Sequence, residues 1–326
     1  MGPLRAPVSI FTFVLFFCVL GSAAERGARP AAAPSPPLPA ELWTDPIDLH
    51  QQNLSLSHWG PERAPNPLDQ FVFLKLKTHG SSPGMKVRDA RGRLWHVKQG
   101  SEAQPEVVVS RVLSAVGYRQ PPVYFLPSFT VADDSGVHRA AGGRFRLADP
   151  SLVDRGEWQW ERNPFVGSKP YQGLLVILVL LNSADLKNSN NTLYDVTAPA
   201  DGARQWYVVR DLGTSLGATN RFAPKPNNAE VFERRRFVTG IRNGYVEFGD
   251  YHGVHNDLLI GRITPDDVRW ATGLLGRLTD RQWQDAFLGA GYTPTVAGRF
   301  VRRIAQKIDE GRALDAWSRS LAPVRP

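Results

Sequence analysis

The chain is 326 residues long, 42% hydrophobic and 21% charged, values that exclude a mainly disordered, collagen-like or coiled-coil protein and leave room for about two compact units. Lysine and arginine exceed aspartate and glutamate by 39 to 31, a formal net charge of +8, but the basic residues are scattered among acids, so no nucleic-acid partner is expected. The single cysteine, Cys18, rules out a disulfide framework or a thiolate metal site.

Chain order begins with one basic residue, Arg5, an apolar run over 8–20, and the small residues Ser22 and Ala24. This pattern predicts an export signal over 1–24, which places the protein in a periplasmic or secreted location; an uncleaved segment would anchor it to a membrane. An alanine- and proline-rich tether follows, and residues 25–67 as a whole are expected to be tether and irregular lead-in. Asn53 and Asn190 each begin a glycosylation sequon, a pattern common by chance.

Alternation over 71–77, 85–89 and 94–98 predicts three strands joined by turns, one of them the Gly80-to-Gly84 segment. Helical spacing of Val108, Val109, Val112, Leu113 and Val116, with Pro105 near the start and Gly117 at the end, predicts a helix within 101–118. Extended segments over 123–131 and 144–147, divided by a polar loop, complete a β-rich N-terminal lobe over 68–149. Beyond it, helices are expected at 170–181, 265–277, 280–288 and 295–314, with a strand at 205–210 and short strands at 237–241 and 245–248. The C-terminal lobe is therefore mostly helical over 150–315, followed by a tail over 316–326. The run 174–181 is too short to span a bilayer and is expected to be a buried core helix. Trp270, Trp283, Phe287 and Phe300 are expected in the core, and Arg299, Arg302 and Arg303 on a solvated face.

The chemistry concentrates where apolar elements end. Asp185, Lys187 and Asn190 follow the buried helix, and Asp211 opens an Asp-Leu-Gly turn after a strand. A loop with this spacing brings a carboxylate, an ammonium and an amide oxygen toward one small volume, while Asp211 adds a second anionic ligand. Carboxylate and amide oxygens suit Mg²⁺ and phosphate. His252 and His255 lie in a glycine-rich loop and read as solvated or structural rather than as zinc ligands.

The run Asp185-Leu186-Lys187-Asn188-Ser189-Asn190 resembles the D-x-K-x-x-N catalytic loop of kinases, and Asp211-Leu212-Gly213 is similar to their metal-binding D-F-G. Val97-Lys98 at the end of the third strand and Glu106 at the start of the helix fit the same order, and the run Asp211-Leu212-Gly213-Thr214-Ser215-Leu216-Gly217 looks closer to atypical kinases of the HipA and phosphoinositide-kinase type than to ordinary protein kinases. The resemblance implies an α+β, two-lobed kinase-like fold and transfer of the γ-phosphate of Mg-ATP to a hydroxyl of a protein, lipid or small-molecule acceptor. It implies Asp185 and Lys187 as catalytic residues, Asn190 and Asp211 as Mg²⁺ ligands, and Lys98, Glu106, Gly80 and Gly84 as nucleotide-binding residues, with Glu102 an alternative partner for Lys98. Ser183 and Ala184 replace the His and Arg of ordinary kinases, the Gly80-to-Gly84 turn lacks the G-x-G-x-x-G spacing, and no A-P-E motif follows Asp211. A kinase-fold binding module without turnover and a structural envelope protein are the alternative readings.

Overall fold

The computed structural model describes residue 2 and residues 37–56, 59–78, 82–197, 199, 201–220, 225–249 and 251–314. Residues from Pro37 onward form one compact unit, separate from Met1–Pro36. The expected leader over 1–24 apart from residue 2, the expected tether as far as residue 36, Gly80 and the tail over 316–326 lie outside the described residues.

Five strands close into a barrel in the order β1-β2-β3-β5-β4: β1 (Gln70–Leu76), β2 (Gly84–Arg88), β3 (Leu94–Gln99), β4 (Val123–Asp133) and β5 (Gly136–Leu147). All neighbours are antiparallel except β1 and β4, which close the barrel in parallel. Alternation sends one side of each strand inward, where Phe71, Val87, Trp95, Val97, Tyr124, Leu126, Phe129, Val131 and Phe145 form a separate aromatic-rich core. The loop expected between 131 and 144 is instead mostly strand, with β4 and β5 paired almost to a tight turn between Asp133 and Gly136. Its outer residues are exposed, so the apolar alternation that would have marked it as a strand is missing.

Helix α1 (Ala103–Ala115) crosses the outside of this barrel. Its valines are poor helix formers, and burial holds them: Val107, Val108, Val109, Val112 and Leu113 are all fully buried. Three more strands form a small antiparallel sheet in the order β6-β7-β8: β6 (Leu152–Asp154), β7 (Asn191–Val196) and β8 (Gln205–Val209). Of these only β8 was expected from the sequence, because β6 and β7 are short and polar.

The helical part comprises α2 (Lys169–Leu180), α3 (Ala229–Arg234), α4 (Pro265–Leu275), α5 (Asp280–Leu288) and α6 (Pro294–Arg312), with a hairpin of β9 (Val238–Arg242) and β10 (Tyr245–Phe248) between α3 and α4. Helix α2 is apolar on every side after its first turn and forms the centre of the larger core. Ser168 caps it, and capping boxes at Thr264/Asp267 and Thr279/Gln282 start α4 and α5. Each cap offsets unpaired N-terminal amides by about 1 kcal/mol. Trp283, Phe287 and Phe300 occupy the core as expected, and Trp270 packs at its edge.

The described residues before β1 are irregular, with three short 3-10 turns, and packed: Leu42, Leu49 and Leu54 are buried in the larger core. Sparse apolar residues without a period gave no sign of packing. Arg303 is not solvated; it is 9% exposed, donates to the Arg235 carbonyl and pairs with Glu310 at 2.7 Å. Among the described residues no helix is long and apolar enough to cross a membrane.

Candidate active site

Strand β3 delivers Lys98 to the outer face of the barrel, 3% exposed, where three carboxylates meet it. Glu106 Oε2 lies 2.8 Å from Nζ, Glu102 Oε2 3.1 Å and Asp211 Oδ1 2.6 Å. Both glutamates named from the sequence therefore reach Lys98, with different surroundings. Glu106 is fully buried and also holds Arg144 at 2.9 Å and Arg146, whereas Glu102 stands at the start of α1 and, among the described residues, pairs with Lys98 alone.

The electrostatics of this cluster keep Glu106 and Lys98 charged. Burial by itself pushes Glu106 upward, but Arg144, Lys98 and Arg146 together more than offset it and hold the carboxyl far below its ordinary range. Burial likewise works against the charged Lys98, and Glu106 and Asp211 reverse it, so the ammonium stays protonated. Gln120 braces the arrangement by accepting from Ser110 on α1 at 3.0 Å and donating to the Val209 carbonyl at 3.2 Å, which ties the helix of Glu106 to the strand that ends at Asp211.

The second half of the site grows from the end of α2. The chain turns through Asn182, whose φ of 54° is left-handed, and runs into Asp185. Asp185 sits 3.1 Å from Lys187, and the Asn190 side-chain amide donates to the Asp185 carbonyl at 2.7 Å. The Asn190 carbonyl accepts from the backbone amides of Arg210 at 2.8 Å and Asp211 at 3.2 Å. The Asp185 loop and the Asp-Leu-Gly turn are thus bonded directly to each other. Gly213 makes the turn possible, because a Cβ there would stand 2.6 Å from Glu102 Cβ.

Lys98, Glu106, Asp211, Asp185, Lys187 and Asn190 therefore fall into two adjoining clusters joined through Asp211 and Asn190. Gly84 has a different local reason: a Cβ there would lie 2.5 Å from the Val97 carbonyl, so its small size serves the close pairing of β2 with β3. His255 faces Glu161 at 3.5 Å and Asp257 at 3.7 Å, and His252 uses its backbone amide on Thr219. Among the described residues no group of three or more His, Cys, Asp or Glu is placed to hold a metal. A Mg²⁺ ligand set drawn from Asp211 and Asn190 fits on chemistry: both are partly accessible, and with the Asn190 amide nitrogen engaged, its oxygen stays available beside a carboxylate. Asp185 Oδ1 is buried, with the Lys187 ammonium 3.1 Å from it.

Sequence reading missed Lys307 on α6, which is fully buried. Its Nζ donates to the Leu180 carbonyl at 2.8 Å and to Asn182 Oδ1 at 2.9 Å, and lies 4.0 Å over the Phe232 ring. Asn182 in turn donates to the Gly217 carbonyl at 2.8 Å, in the segment that follows Asp-Leu-Gly. Lys307 is thus a peg beneath both loops. A lysine at helical spacing in an amphipathic helix carries no sequence mark of this role. Arg144 and Arg146 were also missed, as alternate residues of an apparently ordinary strand.

No family model matches the chain, and no curated protein matches it. Among solved structures it is similar to the proinflammatory kinase CtkA of Helicobacter pylori, at 11% identity and a TM-score of 0.42 over 76% of this chain and 98% of that one. It is also similar to the Golgi casein kinase with Mn/ADP bound, at 9% identity and a TM-score of 0.40 over 83% and 81% of the two chains. A further structure of the Golgi casein kinase gives 9% identity and a TM-score of 0.41 over 87% and 86%.

Proposed function

We propose that the protein is an exported kinase-like phosphotransferase that moves the γ-phosphate of Mg-ATP to a hydroxyl acceptor. The observation that carries this reading is the convergence of Lys98, Glu106 and Asp211 beside a loop in which Asn190 ties itself to Asp185. A lysine held charged by carboxylates is suited to the phosphates of a donor, and a partly accessible carboxylate beside Lys187 is suited to a hydroxyl proton.

In this account Asp185 accepts the proton of the acceptor hydroxyl as its oxygen forms a bond to phosphorus and the bridging bond to the leaving phosphate breaks. Lys187 and Lys98 offset the charge on the phosphoryl oxygens. Asp211 and Asn190 would hold Mg²⁺, which neutralises the developing charge on the leaving phosphates. Glu106, Arg144 and Arg146 fix Lys98 in place without touching the reacting atoms.

The experiment is a phosphate-release and phosphotransfer assay on the wild type and Asp185→Asn. The expected result is turnover in the wild type and a loss of about 10²–10⁴-fold in the variant with nucleotide binding retained. Equal turnover in both removes Asp185 from the mechanism. Nucleotide binding without turnover in the wild type favours a kinase-fold binding module.

A further inference from the structure

The segment that follows the β9–β10 hairpin lies directly on the Asp185 loop. Val254 forms a parallel bridge with Asp185, its amide donates to the Ala184 carbonyl at 2.8 Å, and the buried Tyr251 hydroxyl donates to the Ser183 carbonyl at 2.7 Å. Gly253 permits this approach, because a Cβ there would stand 2.7 Å from the Ala184 carbonyl oxygen and 2.6 Å from the Tyr251 hydroxyl. Tyr251 and His252, from the same segment, also line a cavity of about 540 Å³ together with β10 and residues 259–261. Tyr251 is three residues from Val254, at most about 10 Å along the chain, so the cavity wall begins within that distance of the residue bridged to Asp185.

Size and lining indicate a small, uncharged occupant with an apolar body. The volume lies in the range of small-molecule sites, roughly 300–1,000 Å³. Val246, Phe248, Tyr251 and Leu259 give the cavity an apolar wall, and Tyr245 and Ile260 add apolar surface to it while 38% and 70% exposed. Arg242 and Glu247 on the lining pair with each other at 2.8 Å, which leaves no uncompensated guanidinium or carboxylate for a charged partner. Among the described residues the side chains of Asn243, His252 and Asn256 make no hydrogen bond or ion pair, so amide and imidazole groups remain to meet a few neutral polar atoms. The Val246 amide donates to the Ile263 carbonyl at 2.8 Å, so the outer edge of β10 is engaged there and offers no free ladder to an extended peptide.

We propose that this cavity is the acceptor site, and that the acceptor is an uncharged small-molecule alcohol whose aliphatic or aromatic body lies in the cavity and whose hydroxyl reaches Asp185 on a flexible arm. The inference rests on the phosphotransfer reading and supplies its acceptor. The alcohol oxygen bonds to the γ-phosphorus of Mg-ATP, the bridge between the β and γ phosphates breaks, the hydroxyl proton passes to Asp185, and ADP leaves beside the new phosphate monoester.

The test is transfer of labelled γ-phosphate from Mg-ATP to phenylhexanol, to glycerol and to a capped glycyl-seryl-leucyl-glycine amide, by the full chain and its Ile260→Asp variant, with Mg-ATP binding read by thermal unfolding. Ile260 is 70% exposed, so the variant is expected to fold. The expected result is a kcat/KM for phenylhexanol at least about ten-fold above that for either other acceptor, and a fall of about ten-fold in Ile260→Asp with half-saturation by Mg-ATP near that of the wild type. Equal use of phenylhexanol and glycerol, preference for the peptide, or equal kcat/KM in the two proteins overturns the inference and leaves the phosphotransfer reading standing. Hydrolysis of ATP with no transfer to any of the three acceptors does the same. Absence of both hydrolysis and transfer in the wild type overturns both.

Discussion

Lys98 and Asp211 are 113 residues apart in sequence, and their charged atoms are 2.6 Å apart in the fold. That contact helps join the barrel to the end of β8, and Glu106 also holds the lysine, at 2.8 Å. The arrangement places a fixed positive charge and an accessible carboxylate in one cleft, the pairing on which the proposed chemistry depends.

Glu106 is the counter-ion of three buried or nearly buried cations, so its loss is expected to be costly. Glu106→Gln strands Lys98, Arg144 and Arg146 with reduced compensation and is predicted to destabilise the protein by about 3–5 kcal/mol in urea unfolding. Glu102→Gln, which touches Lys98 at the mouth of the cleft, is predicted to cost far less. Equal costs for the two would show that Glu106 does not organise the cluster.

His96 gives the fold a pH dependence with a definite sign. Its folded value of about 3 is below the ordinary histidine value of 6.5, so between these values the unfolded chain binds the extra proton and stability falls as pH falls. Glu106, also depressed, adds to the loss only below the ordinary carboxylate range. Stability is therefore predicted to decline from about pH 6.5 downward, by at most about 1.4 kcal/mol per pH unit from this one group. In His96→Gln the decline should begin near the carboxylate range instead. An unchanged profile in that variant would assign the dependence to other groups.

Lys307 offers a separate test of how the catalytic loop is held. Burial, and then Arg303, push its ammonium well below the ordinary lysine range, and its hydrogen-bond acceptors are neutral. Lys307→Met removes two hydrogen bonds to the turn that precedes Asp185, leaving acceptors unsatisfied at about 1–3 kcal/mol each, partly offset by removing a buried amine. Turnover is predicted to fall while donor affinity stays near wild type, since Lys98 and Asp211 are untouched. A change in affinity with turnover intact would contradict a role beneath the Asp185 loop.

The sequence made some parts of this structure legible and left others hidden, for physical reasons. The apolar run of α2 and the valine spacing of α1 announce themselves, because local pattern and tertiary burial agree there. The exposed half of the β4–β5 hairpin, the short strands β6 and β7, and helix α3 carry no such pattern. Within the site, Asp185, Asn190 and Asp211 were marked by spacing and by their place at the ends of apolar elements. Arg144, Arg146 and Lys307 were not, because their roles arise from strand register and helix packing across long separations.

The most direct test of the central claim is thermal unfolding of the full chain with and without millimolar Mg²⁺ and ATP, beside Asp211→Ala. A donor at 100 times its dissociation constant adds about 2.7 kcal/mol, which raises the midpoint by a few degrees in a protein of this size. The account predicts a Mg²⁺-dependent rise in the wild type that Asp211→Ala abolishes. An equal rise in both proteins, or none in the wild type, would contradict a metal-dependent phosphoryl-donor site built on Lys98 and Asp211.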